Sequence, residues 1–113
     1  MPNLATTSLV DEQLPLLLVR HRDGGSPRGI GIDKLPFLVG SATHVDLRLP
    51  APTVSRRHVL FEWHEDGVLV RDQGSRNGTH VNDERVIARP LREGDVVKVG
   101  PYTLELRFVN LED

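Results

Sequence analysis

Ser55, Arg56, Arg76 and Asn77 supply a hydroxyl, two guanidinium forks and a carboxamide, a donor set suited to a doubly charged phosphate ester. A phosphorylated hydroxyl carries about −1.5 to −2 charges at neutral pH and three strong acceptor oxygens, so it is held best by donors converging from several directions. The four residues arrive in two polar runs. Ser55, Arg56, Arg57 and His58 begin fifteen positions after Gly40, and Gly74, Ser75, Arg76, Asn77, Gly78 and Thr79 follow one hairpin later. Gly74 and Gly78 let the backbone turn tightly, and Asn77, with one acceptor and two donors, is equipped to grip a peptide backbone. Residue types alone leave a second reading open, in which Ser55 and Ser75 only cap turns and both arginines are solvated.

Something rigid must present these loops. Helical spacing is missing almost everywhere, whereas period-two alternation recurs in short blocks separated by Gly, Pro, Asn and Asp, the pattern of an all-β domain. Ten or eleven strands are expected: 16–22, 29–33, 37–39, 45–49, 58–64, 68–72, 79–81, 85–87, 95–99 and 102–109. Strands 58–64 and 68–72 pair as a hairpin through Glu65, Asp66 and Gly67, with the glycine at the left-handed position. Other turns fall at 23–25, 82–83, 93–94 and 100–101. So many short strands cannot bury one face in a single open sheet, so an antiparallel β-sandwich is expected, with its loops gathered at the ends.

The 113 residues fit one domain with one core. A flexible tail is expected over residues 1–13 and the sandwich over 14–113. The hydrophobic share of 38% and charged share of 27% are ordinary for a folded domain. Fourteen basic against 16 acidic residues give a net charge of −2, no field to hold a nucleic-acid backbone, so anion recognition must be local. The chain contains no cysteine, which excludes disulfides and thiolate metal or redox sites and suits the cytoplasm. The apolar stretch Leu14 to Val19 is too short to span a membrane, and neither a cofactor nor a metal is expected.

From Val39 to Asn110 the chain closely resembles the forkhead-associated (FHA) domain family. The likeness runs through Gly40, through Val45, Asp46, Leu47, Arg48 and Leu49, and through Pro52, Val54, Ser55, Arg56, Arg57 and His58. It continues through Gly74, Ser75, Arg76, Asn77, Gly78, Thr79, Val81 and Asn82, then Leu91, Gly94, Asp95 and Gly100. The resemblance implies an eleven-stranded sandwich that binds phosphothreonine in partner proteins and performs no chemistry. By position, Ser55 and Arg56 would hydrogen-bond the phosphate, Arg76 would lie beside it, and Asn77 would grip the ligand backbone. Thr53 would help choose a residue a few places after the phosphothreonine. His58, Gly40, Gly78 and Thr79 would support the loops from within. A Thr pair in the tail, Thr6 and Thr7, would allow the domain to bind itself once phosphorylated. About seven residues separate Thr7 from the first expected strand, a reach of roughly 25 Å that leaves self-binding open within one chain or between two.

One position departs from the family pattern. Ser41 stands where the family places an arginine on the phosphate, and losing one charge-assisted hydrogen bond costs roughly tenfold to a hundredfold in affinity. Either Arg56 and Arg76 compensate, or the surface serves phosphate-independent protein contact or oligomerisation.

Other signals carry less. His21, Arg22 and Asp23 spell a kinase catalytic triplet, but the chain is too short for a kinase and lacks the accompanying motifs. His58, Glu62, His64 and Glu65 are metal-ligand types without a matching partner set. Asn77, Gly78 and Thr79 form a glycosylation sequon with no secretory signal. Phe61 and Trp63 share a strand face and are expected in the core rather than as a base-stacking platform.

Overall fold

The computed structural model describes residues 13–65 and 67–110. Eleven strands follow in order: β1 (Gln13–His21), β2 (Arg28–Gly31), β3 (Phe37–Gly40), β4 (Leu47–Arg48), β5 (Val59–His64), β6 (Gly67–Asp72), β7 (Thr79–Val81), β8 (Glu84–Val86), β9 (Ala88–Pro90), β10 (Val96–Val99) and β11 (Tyr102–Asn110). They form a six-stranded sheet, β2-β1-β11-β10-β7-β8, and a five-stranded sheet, β4-β3-β5-β6-β9. Strand β1 begins one residue inside the segment expected as tail, and Thr6 and Thr7 lie outside the described residues.

Period-two alternation explains most of this. Leu17, Val19, Val97, Val99, Leu104 and Leu106 point inward from the first sheet, and Phe37, Val39, Val59, Phe61, Val68 and Val70 from the second; together they form one buried cluster. Burying such side chains contributes roughly 1.5–3 kcal/mol each, which fixes the register wherever one face is covered.

Four expectations need correction. The sandwich is not wholly antiparallel, because β3 and β4 run parallel. After Gly40 the chain doubles back along β3, where Asp46 N–H donates to the Leu38 carbonyl at 2.9 Å and the Asp46 carboxylate accepts from Leu38 N–H at 2.7 Å. Strand β4 therefore restarts in the same direction, with two residues rather than five. The strand expected at 85–87 is two strands: the chain leaves the six-stranded sheet at Val86 and crosses at Ile87, whose carbonyl accepts from Asp72 N–H at 2.8 Å. It then joins the edge of the second sheet as β9, where Pro90 is tolerated because an edge strand needs no donor on its free side.

Among the described residues of the β5–β6 turn the left-handed one is Glu65 (φ 53°), not Gly67. Finally, Trp63 is 60% exposed although Phe61 on the same face is fully buried. Strand β3 begins at Phe37, opposite Phe61, so Trp63 has no β3 neighbour to cover it. The turn at Asn82 and Asp83 is as expected, with both residues at positive φ (50° and 72°), the geometry of a tight hairpin matched to strand twist.

Candidate functional site

Strands β3 and β6 end, and β5 and β7 begin, at one end of the sandwich, so the loops 41–46, 50–58 and 73–78 start or finish there. Gly40 makes the closest approach. A Cβ on this residue would stand 2.1 Å from the Arg56 carbonyl oxygen and 3.0 Å from that of Ser55. Only glycine lets β3 slide beneath the Ser55–Arg56 backbone. The contact is stitched by Ser41 N–H to the Ser55 carbonyl at 3.0 Å, Ala42 N–H to the Arg56 carbonyl at 3.2 Å and Leu49 N–H to the Gly40 carbonyl at 2.8 Å.

His58 is fully buried beneath these loops. Ser55 N–H donates to its Nδ1 at 3.1 Å, so the proton sits on Nε2, which donates to the Gly78 carbonyl at 2.9 Å. One imidazole thus ties the 50–58 loop to the 73–78 loop. A second tie runs through Ser55, whose Oγ accepts from Arg76 N–H at 3.0 Å. That bond fixes the oxygen and leaves the hydroxyl hydrogen free to donate. A third comes from Asn77, whose Nδ2 donates to the Thr53 carbonyl at 3.1 Å, leaving one N–H and the Oδ1 acceptor. Thr53 is exposed, with its hydroxyl beside Gly100.

Sequence reading gave Asp72 no role beyond ending a strand, yet its carboxylate is the hub of the second loop. It accepts from the N–H groups of Gly74 and Ser75 at 2.9 and 3.0 Å, from Ser75 Oγ at 2.6 Å and from buried Thr79 Oγ1 at 2.7 Å. Ser75 Oγ in turn accepts from Gly78 N–H at 3.0 Å. The signal was available: an aspartate followed at two and three positions by glycine and serine is the pattern of a side chain bonding the backbone just after it. Gly78 sits at φ +90°, a conformation that favours glycine, with the mobile Arg85 guanidinium beside it.

Burial pushes the Asp72 carboxyl up, but the bonds from Ser75, Thr79 and Gly74 outweigh it and hold the group below the usual carboxylate range. A group with a lowered folded pKa contributes stability that is full above its unfolded value and lost as pH falls through the folded one. We therefore expect loop order to persist at neutral pH and to decay only under acid stronger than ordinary aspartate titration requires. Amide resonances of Gly74, Ser75 and Gly78 followed from pH 7 to pH 2 should move together at the low end, and Asp72→Asn should remove that step. A transition near neutral pH would contradict the hub.

Several arginines are paired along the strands. Arg20 and Arg107 pair with Glu105, Arg71 with Glu62 and Arg89 with Glu84, all along the sheets. Among the described residues Arg56, Arg57 and Arg76 have no carboxylate partner and are exposed. Despite the net charge of −2, the loop end offers uncompensated positive charge beside a fixed hydroxyl and a half-committed carboxamide. Ser41 lies against the Ser55 backbone and brings no charge. Among the described residues no three His, Asp or Glu side chains gather to hold a metal.

The fold is a two-sheet β-sandwich whose 41–46, 50–58 and 73–78 loops meet at one end. The FHA domain profile matches residues 37–100, and the chain belongs to the FHA family. It is 36% identical over 86 residues to the FHA domain-containing protein FhaA of Mycobacterium tuberculosis, covering 76% of this chain and 16% of that protein. It is 35% identical over 104 residues to the oxoglutarate dehydrogenase inhibitor of Corynebacterium glutamicum, covering 88% of this chain and 72% of the inhibitor. A solved FHA domain studied for its phosphothreonine-dependent interactions superimposes with a TM-score of 0.76 at 32% identity, over 87% of this chain and 99% of that domain. Phosphothreonine-dependent protein recognition is the function this fold and family define.

Proposed function

We propose that phosphate recognition is intact despite Ser41, and that Ser55, Arg56 and Arg76 hold the phosphate of a threonine-phosphorylated partner while Asn77 grips its backbone and Thr53 meets a downstream side chain. The observation that carries this is the Arg76 N–H bond to Ser55 Oγ at 3.0 Å. It brings the hydroxyl donor and the Arg76 backbone into one place before any ligand arrives, so little ordering is required on binding. Gly40, His58, Gly78 and Thr79 act beneath the site. Binding is the whole activity: His58 is buried with both ring nitrogens committed, and no nucleophile–base pair emerges from the loops. Nucleic acid and membrane have no part in this reading, and a cytoplasmic setting accords with it.

The chain's own tail is a partner of a restricted kind. Strand β1 starts at the end opposite the loops, since His21 pairs with Tyr102 and Gly100 lies against Thr53. The strand covers about 26 Å at about 3.3 Å per residue, whereas the six residues from Thr7 to Gln13 reach only about 21 Å. Binding of phosphorylated Thr6 or Thr7 by the loops of a second molecule therefore needs less extension of the tail than binding within one chain.

Calorimetric titration with a phosphothreonine peptide and its unphosphorylated twin tests the site. The phosphorylated form should bind at least about tenfold more tightly, and Arg76→Ala should lose roughly tenfold to a hundredfold for that form alone. Equal binding of both peptides by the unmodified chain would overturn the proposal in favour of a phosphate-independent scaffold.

A further inference from the structure

Position 41 carries no charge, but a cation does lie on it. In the parallel β3–β4 pair, Arg48 is the partner of Gly40, and its Nε donates to the Ser41 carbonyl at 3.0 Å. Ser41 N–H in turn donates to the Ser55 carbonyl at 3.0 Å. A single residue therefore has the Arg48 guanidinium on its carbonyl and the Ser55 backbone on its amide. The Arg56 carbonyl fills the space beside Gly40 where a side chain would stand, which keeps these groups close.

We infer that Arg48 is a phosphate-binding residue of this site, supplying from β4 the positive charge that Ser41 does not. This rests on the phosphothreonine reading and adds a third direction of approach to the cations of the two later loops. Arg48 is exposed and, unlike Arg20, Arg71, Arg89 and Arg107, has no carboxylate partner among the described residues. Its one bond uses Nε and leaves both terminal nitrogens available. A guanidinium anchored at Nε with a free outer edge can still present two parallel N–H donors to a phosphate. Anchoring also matters for cost. An arginine free in solution loses rotamer entropy when it binds, and the Ser41 carbonyl has already taken part of that loss.

The bland reading is that Arg48 only braces the 41–46 loop. A rescue experiment separates the two. Arg48→Ala should weaken phosphothreonine-peptide binding at least about tenfold, leaving the melting temperature and the affinity for the unphosphorylated peptide unchanged. Ser41→Arg placed in the Arg48→Ala chain should restore most of the lost affinity, because residue 41 starts beside the Ser55 backbone. Arg48→Lys should fall between, since a point charge replaces the fork. If the unmodified chain prefers the phosphorylated peptide and Arg48→Ala binds it equally well, the role of Arg48 is overturned while the phosphothreonine reading stands. A loss that Ser41→Arg does not recover, with a lowered melting temperature, marks a brace and also overturns it. An unmodified chain that binds both peptides equally defeats both readings together.

Discussion

Gly40→Ala is expected to destabilise the domain by about 3 kcal/mol, the upper end of what overpacking costs. That is a large part of a total of about 5–15 kcal/mol, and it lowers the melting temperature by roughly 12–24 °C. The added methyl would sit 2.7 Å from the Arg56 carbonyl carbon and 2.1 Å from its oxygen, the latter more than an ångström inside ordinary contact. The obstacle is backbone, which cannot turn away as a side chain can. Relief requires the 50–58 loop to move off β3, which strains the bonds from Ser41 and Ala42 to the Ser55 and Arg56 carbonyls. Ser55 would shift with it, and phosphopeptide affinity should fall along with stability. Thermal denaturation and the phosphothreonine titration check both effects. A Gly40→Ala chain as stable as the parent would mean that the loop does not rest on β3.

His58→Ala should cost about 3–5 kcal/mol. It removes a fully buried ring, with the cavity penalty that follows, and orphans two polar groups, Ser55 N–H and the Gly78 carbonyl. Each unpaired buried group adds about 1–3 kcal/mol unless water reaches it. Volume and hydrogen bonding are separable, because His58→Phe refills the space without restoring either bond and should remain destabilised by about 2 kcal/mol or more. Both variants sever the tie between the loops bearing Ser55 and Asn77, so phosphopeptide affinity should fall at least about tenfold. Imidazole nitrogen chemical shifts offer an independent check, since the bond from Ser55 N–H requires the Nε2–H tautomer. Full stability in His58→Phe would show that the imidazole contributes only bulk.

Much of this was legible because it is local. Alternation in 16–22, 37–39, 58–64 and 102–109 announces strands with one face inward, since neighbouring side chains on a strand have no other way to divide core from water. The loops around Ser55 and Asn77 stand out by residue type and by their glycines. His58 is buried beneath both loops, Gly40 lies under Arg56, Gly78 has φ at +90° and Thr79 bonds the Asp72 carboxylate.

What failed was long-range. Trp63 looked like a core residue because its face is correct, but whether that face is covered depends on where β3 begins, a different part of the chain. Strand β9 escaped notice because Ala88, Arg89 and Pro90 have no alternation to show; they are a strand only because β6 offers them an edge. Glu65 took the left-handed position from Gly67 because the β5–β6 register places His64 opposite Gly67, drawing the glycine into the strand.

The sandwich, the two donor loops and the family are legible in residue order alone, because period-two burial and short-range turn chemistry are written in neighbouring residues. Only the folded chain shows that β4 runs parallel to β3, that Asp72 organises the second loop, and that Arg48 lies on the uncharged residue Ser41. The last of these depends on a hydrogen bond across seven positions, made only because a parallel pairing sets Arg48 beside Gly40. A side chain's place in a site built from several loops is fixed by the strands between them, and no spacing of residues records it.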